Sequence, residues 1–367
     1  MDDERFIRRT IALAARAKSM TSPNPMVGAL IVKKGRIISE AYHKKAGTPH
    51  AEVLAIDNAP DSVKGSCLYV SLEPCCHKDK RTPPCTQKII SSGIKKVVIS
   101  MKDPNPKVSG KGIEELRKAG IEVISGVLDE ESGRLNESYI KHITTGLPFV
   151  TLKVAMTLDG KIATPEGESK WITGEKARRM VHRLRGSVDA IMTAIGTVKA
   201  DNPRLTCRTG NYKNPVRIII DPDMEIPAGS NVLSTPPDTF IVTRKTATPD
   251  TGTTVSEKKK LLSEKNIRII EYEGEKADLQ WLMKKLGGTN IASVLIEGGS
   301  SLNSRCLEEE IVDKVMFFIA PKIIGGRESF PSVGGKTYRN LQDAHRLKDV
   351  KIKRIDEDIL VEGYIRK

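Results

Sequence analysis

Two runs in which apolar strand-like segments alternate with amphipathic helix-like segments, separated by a single break, constrain this 367-residue chain more than any other feature. Alternation of this kind requires sheets covered by helices, and the length suits two domains rather than one core. In the first run, residues 3–19 carry apolar side chains near helical spacing. Val27–Val32 and Arg36–Ala41 read as a hairpin through Lys34-Gly35, and Pro49-His50-Ala51-Glu52 opens a helix. Cys67–Leu72 is a strand, and Thr82-Pro83 reads as a cap before a helix that carries Cys85 in its first turn. Strand (Val97–Ser100), helix (Lys111–Ala119), strand (Ile121–Ser125) and a helix over 130–144 follow, giving a mostly parallel sheet. Thr145-Gly146-Leu147-Pro148 is the break. Beyond it, strands are expected at Phe149–Ala155, Ala190–Ala194, Arg217–Ile220, Thr239–Val242, Ile267–Tyr272, Ser293–Ile296 and Lys314–Ala320. Helices are expected at Glu175–Leu184 and Asp278–Lys285, and Lys245–Lys260 reads as an exposed connection. The division is therefore 1–146 and 147–367.

The charge balance narrows the partner. Sixty Lys+Arg against 46 Asp+Glu leave +14, so the surface attracts anions. The 15 aromatic side chains are thinly spread, and Lys258-Lys259-Lys260 follows Glu257 as a solvated helix face, unlike the basic, aromatic-interleaved stripes of nucleic-acid binders. A phosphorylated small molecule fits better, with no nucleic-acid and no membrane partner. No apolar run approaches the ~20 residues of a membrane span, and the acidic start Asp2-Asp3-Glu4 lacks a secretory pattern. A cytoplasmic protein is expected. Its six cysteines then belong to a reducing compartment, where clusters mean metal or catalysis more often than disulfides.

His50, Cys75 and Cys85 offer one imidazole and two thiolates, and Glu52 adds a carboxylate two residues past the histidine. Three protein ligands leave the fourth zinc position to water, whose pKa zinc lowers to near 7. The set therefore reads as catalytic, with Glu52 as a proton shuttle that does not ligate. Cys76 and His77 compete in principle. Cys75 and Cys85 are preferred because each sits at a strand end or helix start that favours thiolate.

This constellation resembles that of the zinc-dependent nucleobase and nucleoside deaminases, with their H-x-E and P-C-x-x-C signature. Nine residues separate Cys75 from Cys85, however, where that signature has two. The intervening Cys76-His77 and Arg81-Thr82-Pro83-Pro84 resemble the longer stretch of the bifunctional riboflavin-biosynthesis deaminase–reductases. One extra residue between His77 and Arg81, and Cys76 where serine is common, are departures from that pattern. Asn24, His43, His77, Arg81, Asp103 and Asn105 match the same family in loops beside the strand ends, with Asn24, His43 and Arg81 implied on the substrate.

The second half has no G-x-G-x-x-G. Glu297-Gly298-Gly299-Ser300-Ser301 follows a buried-looking strand, and free N–H groups at such a turn bind phosphate. Lys153, Ala155, Asp159-Gly160, Ser169, Trp171, Arg185, Thr197, Asp201, Leu205 and Arg208 stand in segments similar to the reductase half of the same family. The resemblance covers residues 3–365. It implies a cytidine-deaminase-like three-layer α/β/α domain followed by a dihydrofolate-reductase-like α/β domain. It implies one Zn2+ per chain on His50, Cys75 and Cys85, with Glu52 catalytic. Ala155, Trp171, Thr197, Asp201, Gly298, Gly299, Ser300 and Ser301 would line the NADPH site. Lys153, Ser169, Arg185, Leu205, Arg208 and Glu297 would contact the substrate.

The expected activity is hydrolytic deamination of a diaminopyrimidinone ribosylamino phosphate with ammonia release, then NADPH-dependent reduction of the ribosyl group to ribityl. A homo-oligomer, dimer or tetramer, is expected. Two rivals remain at this point: a nucleoside or tRNA-base deaminase whose second half only binds, and a zinc-stabilised nucleic-acid-binding protein.

Overall fold

The structure of the protein, a computed structural model, describes residues 2–77, 83–210, 212–234, 236–247, 255–265, 267–335 and 340–366. The chain divides into two compact units, Met1–Leu147 and Pro148–Lys367.

In the first unit, α1 (Asp2–Ala14) opens with Asp2, Asp3 and Glu4 at the end where helix N–H groups favour negative charge. A 3-10 turn continues to Ala17, and left-handed Lys18 (φ 48°) ends it, so the helix expected over 3–19 is shorter. The hairpin β1 (Gly28–Lys33) and β2 (Arg36–Tyr42) is followed by α2 (Ala51–Asp57), β3 (Cys67–Leu72), α3 (Cys85–Ser91), β4 (Lys96–Met101), α4 (Lys111–Lys118), β5 (Glu122–Ser125), α5 (Asp129–Leu135) and α6 (Glu137–Thr145). The sheet order is β2-β1-β3-β4-β5. β3, β4 and β5 pair in parallel, while β1 alone runs the other way, against both its neighbours, so the sheet is mixed.

The pleat of β1 sorts the layers. Leu30 and Val32 join Phe6, Ile7 and Leu13 of α1. Ala29 and Ile31 join Ala55 of α2, Ile89 of α3 and Leu116 of α4. Successive strand side chains face opposite sides, so helices cover both faces. α1 lies directly on the strand backbone at Gly28, where a Cβ would stand 2.1 Å from the Thr10 carbonyl.

The helix expected over 130–144 is broken at Asn136. Its side chain serves the backbone of Met26 instead, accepting from its N–H at 2.8 Å and donating to its carbonyl at 3.0 Å. That double bond holds the chain just before β1.

The second unit contains β6 (Phe149–Thr157), β7 (Lys161–Ala163), α7 (Glu175–Gly186), β8 (Ala190–Ala194), α8 (Ile195–Asp201), β9 (Val216–Ile220), β10 (Thr239–Arg244), α9 (Val255–Glu264), β11 (Arg268–Tyr272), α10 (Leu279–Gly287), β12 (Ser293–Ile296), α11 (Ser300–Glu308), β13 (Lys314–Ala320), β14 (Phe330–Pro331), β15 (Leu347–Ile355) and β16 (Asp358–Ile365). Nine strands form one sheet in the order β11-β10-β9-β8-β12-β6-β13-β16-β15. From β11 to β13 they are parallel; β16 pairs antiparallel with β13, and β15, its hairpin partner, closes the edge. α7 packs Ala177 and Val181 on Met316, Phe318 and Leu360.

Two features depart from the sequence reading. Val255–Glu264 is a helix rather than part of an exposed connection, and Lys258 is buried there, its positive charge acting on Asp221. Arg217 is fully buried on β9 with no carboxylate bonded to it among the described residues; its guanidinium donates to the carbonyls of Arg204, Val232 and Ser234 at 2.9, 2.7 and 2.7 Å. Burial lowers its pKa to about 10.

Candidate functional site

Helix α2 begins one residue after His50, which occupies the cap position with extended backbone (ψ 162°). This turns the imidazole towards the end of β3, where Pro74 stops the strand and Cys75 follows. α3 starts at Cys85 with Pro84 as the residue before it, so the cap stands two residues later than Thr82. Thr82 and Arg81 themselves lie outside the described residues. His50 Nδ1 is 3.5 Å from Cys75 Sγ and 3.3 Å from Cys85 Sγ. All three donor atoms lie within 4.8 Å of one another, and among the described residues they form the one such group. A tetrahedral zinc with ordinary Zn–N and Zn–S bonds separates such donors by about 3.6 Å. Two thiols, an imidazole and that spacing fit zinc.

Glu52 lies in the first turn of α2 and is buried, and its Oε2 has no hydrogen-bond partner. Burial pushes its carboxyl up from the usual range, with His50 opposing the shift. His43 stacks edge-on against His50 with ring centroids 5.2 Å apart. Its Nδ1 is 3.1 Å from the Pro49 carbonyl, and its buried Nε2 has no partner. Asn24 is exposed in the loop before β1.

Glu73 belongs to none of the sequence motifs, yet it organises the site. Its buried carboxylate accepts the backbone N–H groups of Asp103 (3.2 Å), Gly110 (2.9 Å) and Ile113 (3.1 Å). Beside it Gly112 lies so close that a Cβ would stand 2.2 Å from the Pro74 carbonyl. The segment after β4 thus hangs from the residues that present Cys75. Asp103 in turn accepts from Tyr139 Oη at 2.7 Å and from the Asn105 N–H at 2.9 Å. The available signal was a charged side chain at the inner end of an apolar strand, which burial tolerates only with partners.

In the second unit Glu297, directly after β12, accepts from Arg185 Nε at 2.7 Å and Nη2 at 2.9 Å, and from Lys153 Nζ at 3.5 Å. Burial raises the Glu297 carboxyl, but Arg185 and then Lys153 outweigh it and hold it at about 2. The forked face of Arg185 is therefore turned to a carboxylate. Arg208 is exposed, and its charge helps to lower the pKa of His182, after burial and Arg185. Leu205 is packed in the core with Val188, Ile191 and Ile219, which leaves only its backbone for a ligand.

Ser169 Oγ donates to Asp201 Oδ1 at 3.4 Å, and Lys170 pairs with the same carboxylate at 3.4 Å. Trp171 is 63% exposed with the Arg178 guanidinium 4.6 Å over its ring. Ala155 packs beside α7. Thr197 Oγ1 lies 3.8 Å from where a Cβ on Gly299 would stand. At Gly298 a Cβ would meet Leu302 at 2.9 Å and Asn303 Oδ1 at 3.1 Å, and that Asn303 oxygen is buried without a partner. Gly298 and Gly299 therefore bring bare backbone to the start of α11 (Ser300, Ser301), as a phosphate-bearing cofactor requires.

Each unit thus has its own chemistry: a thiolate–imidazole metal centre with a free carboxylate, and a parallel sheet whose strand ends gather charged groups beside a glycine-opened helix. Together they define a metal-dependent hydrolase joined to an α/β oxidoreductase. Residues 1–101 match the cytidine and deoxycytidylate deaminase zinc-binding region, and residues 148–361 match the RibD C-terminal domain. The chain is 42% identical over 361 residues to the riboflavin biosynthesis protein RibD of Aquifex aeolicus, covering 98% of this chain and 97% of that one. It is 37% identical to RibD of Escherichia coli, with 98% of each chain covered. Among solved structures, a Thermotoga maritima diaminohydroxyphosphoribosylaminopyrimidine deaminase/5-amino-6-(5-phosphoribosylamino)uracil reductase matches with TM-score 0.88 and 38% identity, over 100% of this chain and 99% of that one. Acinetobacter baumannii RibD matches with TM-score 0.88 and 34% identity at the same coverage.

The chain belongs to the RibD family: it is a bifunctional riboflavin-biosynthesis enzyme, a zinc-dependent deaminase joined to an NADPH-dependent reductase. The first unit has the cytidine-deaminase-like fold and the second the reductase fold, and the family's substrate is a phosphoribosylaminopyrimidine. Among the described residues no helix is long and apolar enough to cross a membrane.

Proposed function

We propose that residues 1–146 deaminate the diaminopyrimidinone ribosylamino phosphate and residues 147–367 reduce the ribosyl group of the product, with these side chains in charge. The convergence of His50, Cys75 and Cys85 beside the partnerless Glu52 oxygen carries the assignment. These three residues hold the zinc, which when bound lowers the pKa of water to near 7. Glu52 Oε2 takes a proton and returns it to the departing amino group; its burial keeps water from competing for that role. Asn24, His43 and Arg81 contact the pyrimidine substrate.

In the reductase, Ala155, Trp171, Thr197, Asp201 and Gly298 to Ser301 receive NADPH, which supplies the hydride. Arg208, exposed and without an acid partner among the described bonds, takes the substrate phosphate, and Ser169 and the Leu205 backbone orient the sugar. Glu297 holds Arg185 and Lys153 in place, so that Lys153 reaches the reacting sugar as a fixed cation. The enzyme works in the cytoplasm as a homo-oligomer, dimer or tetramer. The deciding experiment supplies the diaminopyrimidinone phosphate and follows ammonia and NADPH separately. Ammonia release without NADPH, and NADPH oxidation only after it, is the expected result. NADPH oxidation without prior ammonia release would overturn the order.

A further inference from the structure

The turn after β6 does more than reverse the chain. Asp159 Oδ1 accepts from Thr157 Oγ1 at 2.6 Å and from the Ile324 N–H at 3.2 Å, and Oδ2 accepts from the Gly325 N–H at 2.7 Å. Leu158 N–H donates to the Lys322 carbonyl at 2.8 Å, so the segment after β13 is tied to this turn by backbone and side chain together. Lys322 in turn donates from Nζ to the Trp171 carbonyl at 2.6 Å. The far end of the same segment is fastened to α11. Asn303 Nδ2 donates to the Ser332 carbonyl at 2.8 Å, and Gly334 N–H donates to the Ser300 carbonyl at 3.2 Å. A Cβ on Gly334 would stand 2.6 Å from Ser300 Oγ, so the segment passes directly over the Ser300 side chain. One stretch, 320–335, therefore joins the Trp171 carbonyl to the first turn of α11.

We infer that Asp159 is a positioning residue of the reductase, fixing the 320–335 segment so that Trp171 and the Gly299-Ser300 turn stand at the separation that NADPH requires. The inference rests on the assignment of Trp171 and Ser300 to the cofactor. Three features support it beyond that assignment. Asp159 is exposed, so its three hydrogen bonds are not there to satisfy a buried charge. Its carboxyl is held at about 2, chiefly by the Thr157 hydroxyl and the Gly325 N–H, so it stays an acceptor throughout the working range. The only side chain by which this segment reaches Trp171 in the described hydrogen bonds is Lys322, two residues before Ile324.

The test uses the full chain in a Trp281→Phe background, which leaves Trp171 as the single indole. NADPH is added to this protein and to its Asp159→Ala and Asp159→Asn forms while Trp171 fluorescence is followed. Steady-state reduction and ammonia release are measured in parallel. Asp159→Ala is expected to weaken NADPH binding and raise its KM about tenfold or more, the scale of lost hydrogen bonds to a charged group. Asn, which keeps one acceptor oxygen, should fall between. Reductase kcat at saturating NADPH should stay within about threefold, and ammonia release should not change. Unchanged NADPH affinity overturns the inference, as does a fall in kcat with KM intact, which marks a merely structural residue. If Trp171 of the parent does not respond to NADPH at all, the cofactor assignment fails, and the inference with it.

Discussion

Arg185 reaches Glu297 across 112 positions of sequence and closes a two-pronged ion pair with it, Nε to Oε1 at 2.7 Å and Nη2 to Oε2 at 2.9 Å. Lys153 shares the same carboxylate. Two cations and one anion are thus gathered, half-buried, beside the end of β12, and the two cations hold the carboxylate ionised.

Glu297→Gln leaves both cations without their counter-charge, and breaking such a pair costs on the order of 3–5 kcal/mol. Reductase activity should be lost and the second unit should melt earlier, while ammonia release continues. The pH dependence follows from the depressed carboxyl. With a folded pKa of about 2 and an unfolded value of ~4.3, the stabilisation is complete above the unfolded value and disappears as pH falls towards 2. Acid denaturation of the variant between these limits should be flatter than that of the parent.

Glu52→Gln should retain one zinc per chain by elemental analysis yet release ammonia about 10²–10⁴-fold more slowly. Cys85→Ser should lose the metal itself. Equal activity with and without zinc would remove the centre from the reaction.

Arg208→Ala should raise the KM for the phosphorylated pyrimidine more than that for NADPH, measured in the reductase half-reaction. An unchanged pyrimidine KM would take Arg208 out of the phosphate site.

Gly112→Ala forces a methyl group against the Pro74 carbonyl, where the Cβ position is only 2.2 Å away. The expected loss is about 1–3 kcal/mol of stability, read by thermal unfolding, with weaker zinc retention because the strained carbonyl precedes Cys75. NADPH affinity should be untouched.

What the sequence displays and what it hides follow physical lines. Interior strands, such as the buried Ala190–Ala194 and the mostly buried Lys314–Ala320, announce themselves as apolar runs and coincide with β8 and β13. The hairpin β15–β16 passes unnoticed because β15 lies at the sheet edge, exposed along most of its length and studded with Lys348, Lys351 and Lys353. Such charges guard edges against unwanted pairing, and they erase the apolar signal. The metal donors are legible because their chemistry is unusual at any spacing. Glu73 and Asn136 are not, because their partners are backbone groups, which every residue carries. In the sequence, Arg185 and Glu297 each stand as a separate contact to the substrate. Their mutual bond joins the last turn of α7 to the residue after β12, 112 positions apart, which no local pattern contains.

The suspension of the 103–113 segment from Glu73 has a consequence for descent. Three N–H groups, at positions 103, 110 and 113, meet one carboxylate that stands two residues before Cys75. The number of residues from Asp103 to Ile113 is therefore a quantity that an insertion or deletion would disturb. A single insertion there is expected to move a hydrogen-bond donor out of reach and to loosen a metal ligand some thirty positions earlier in the chain.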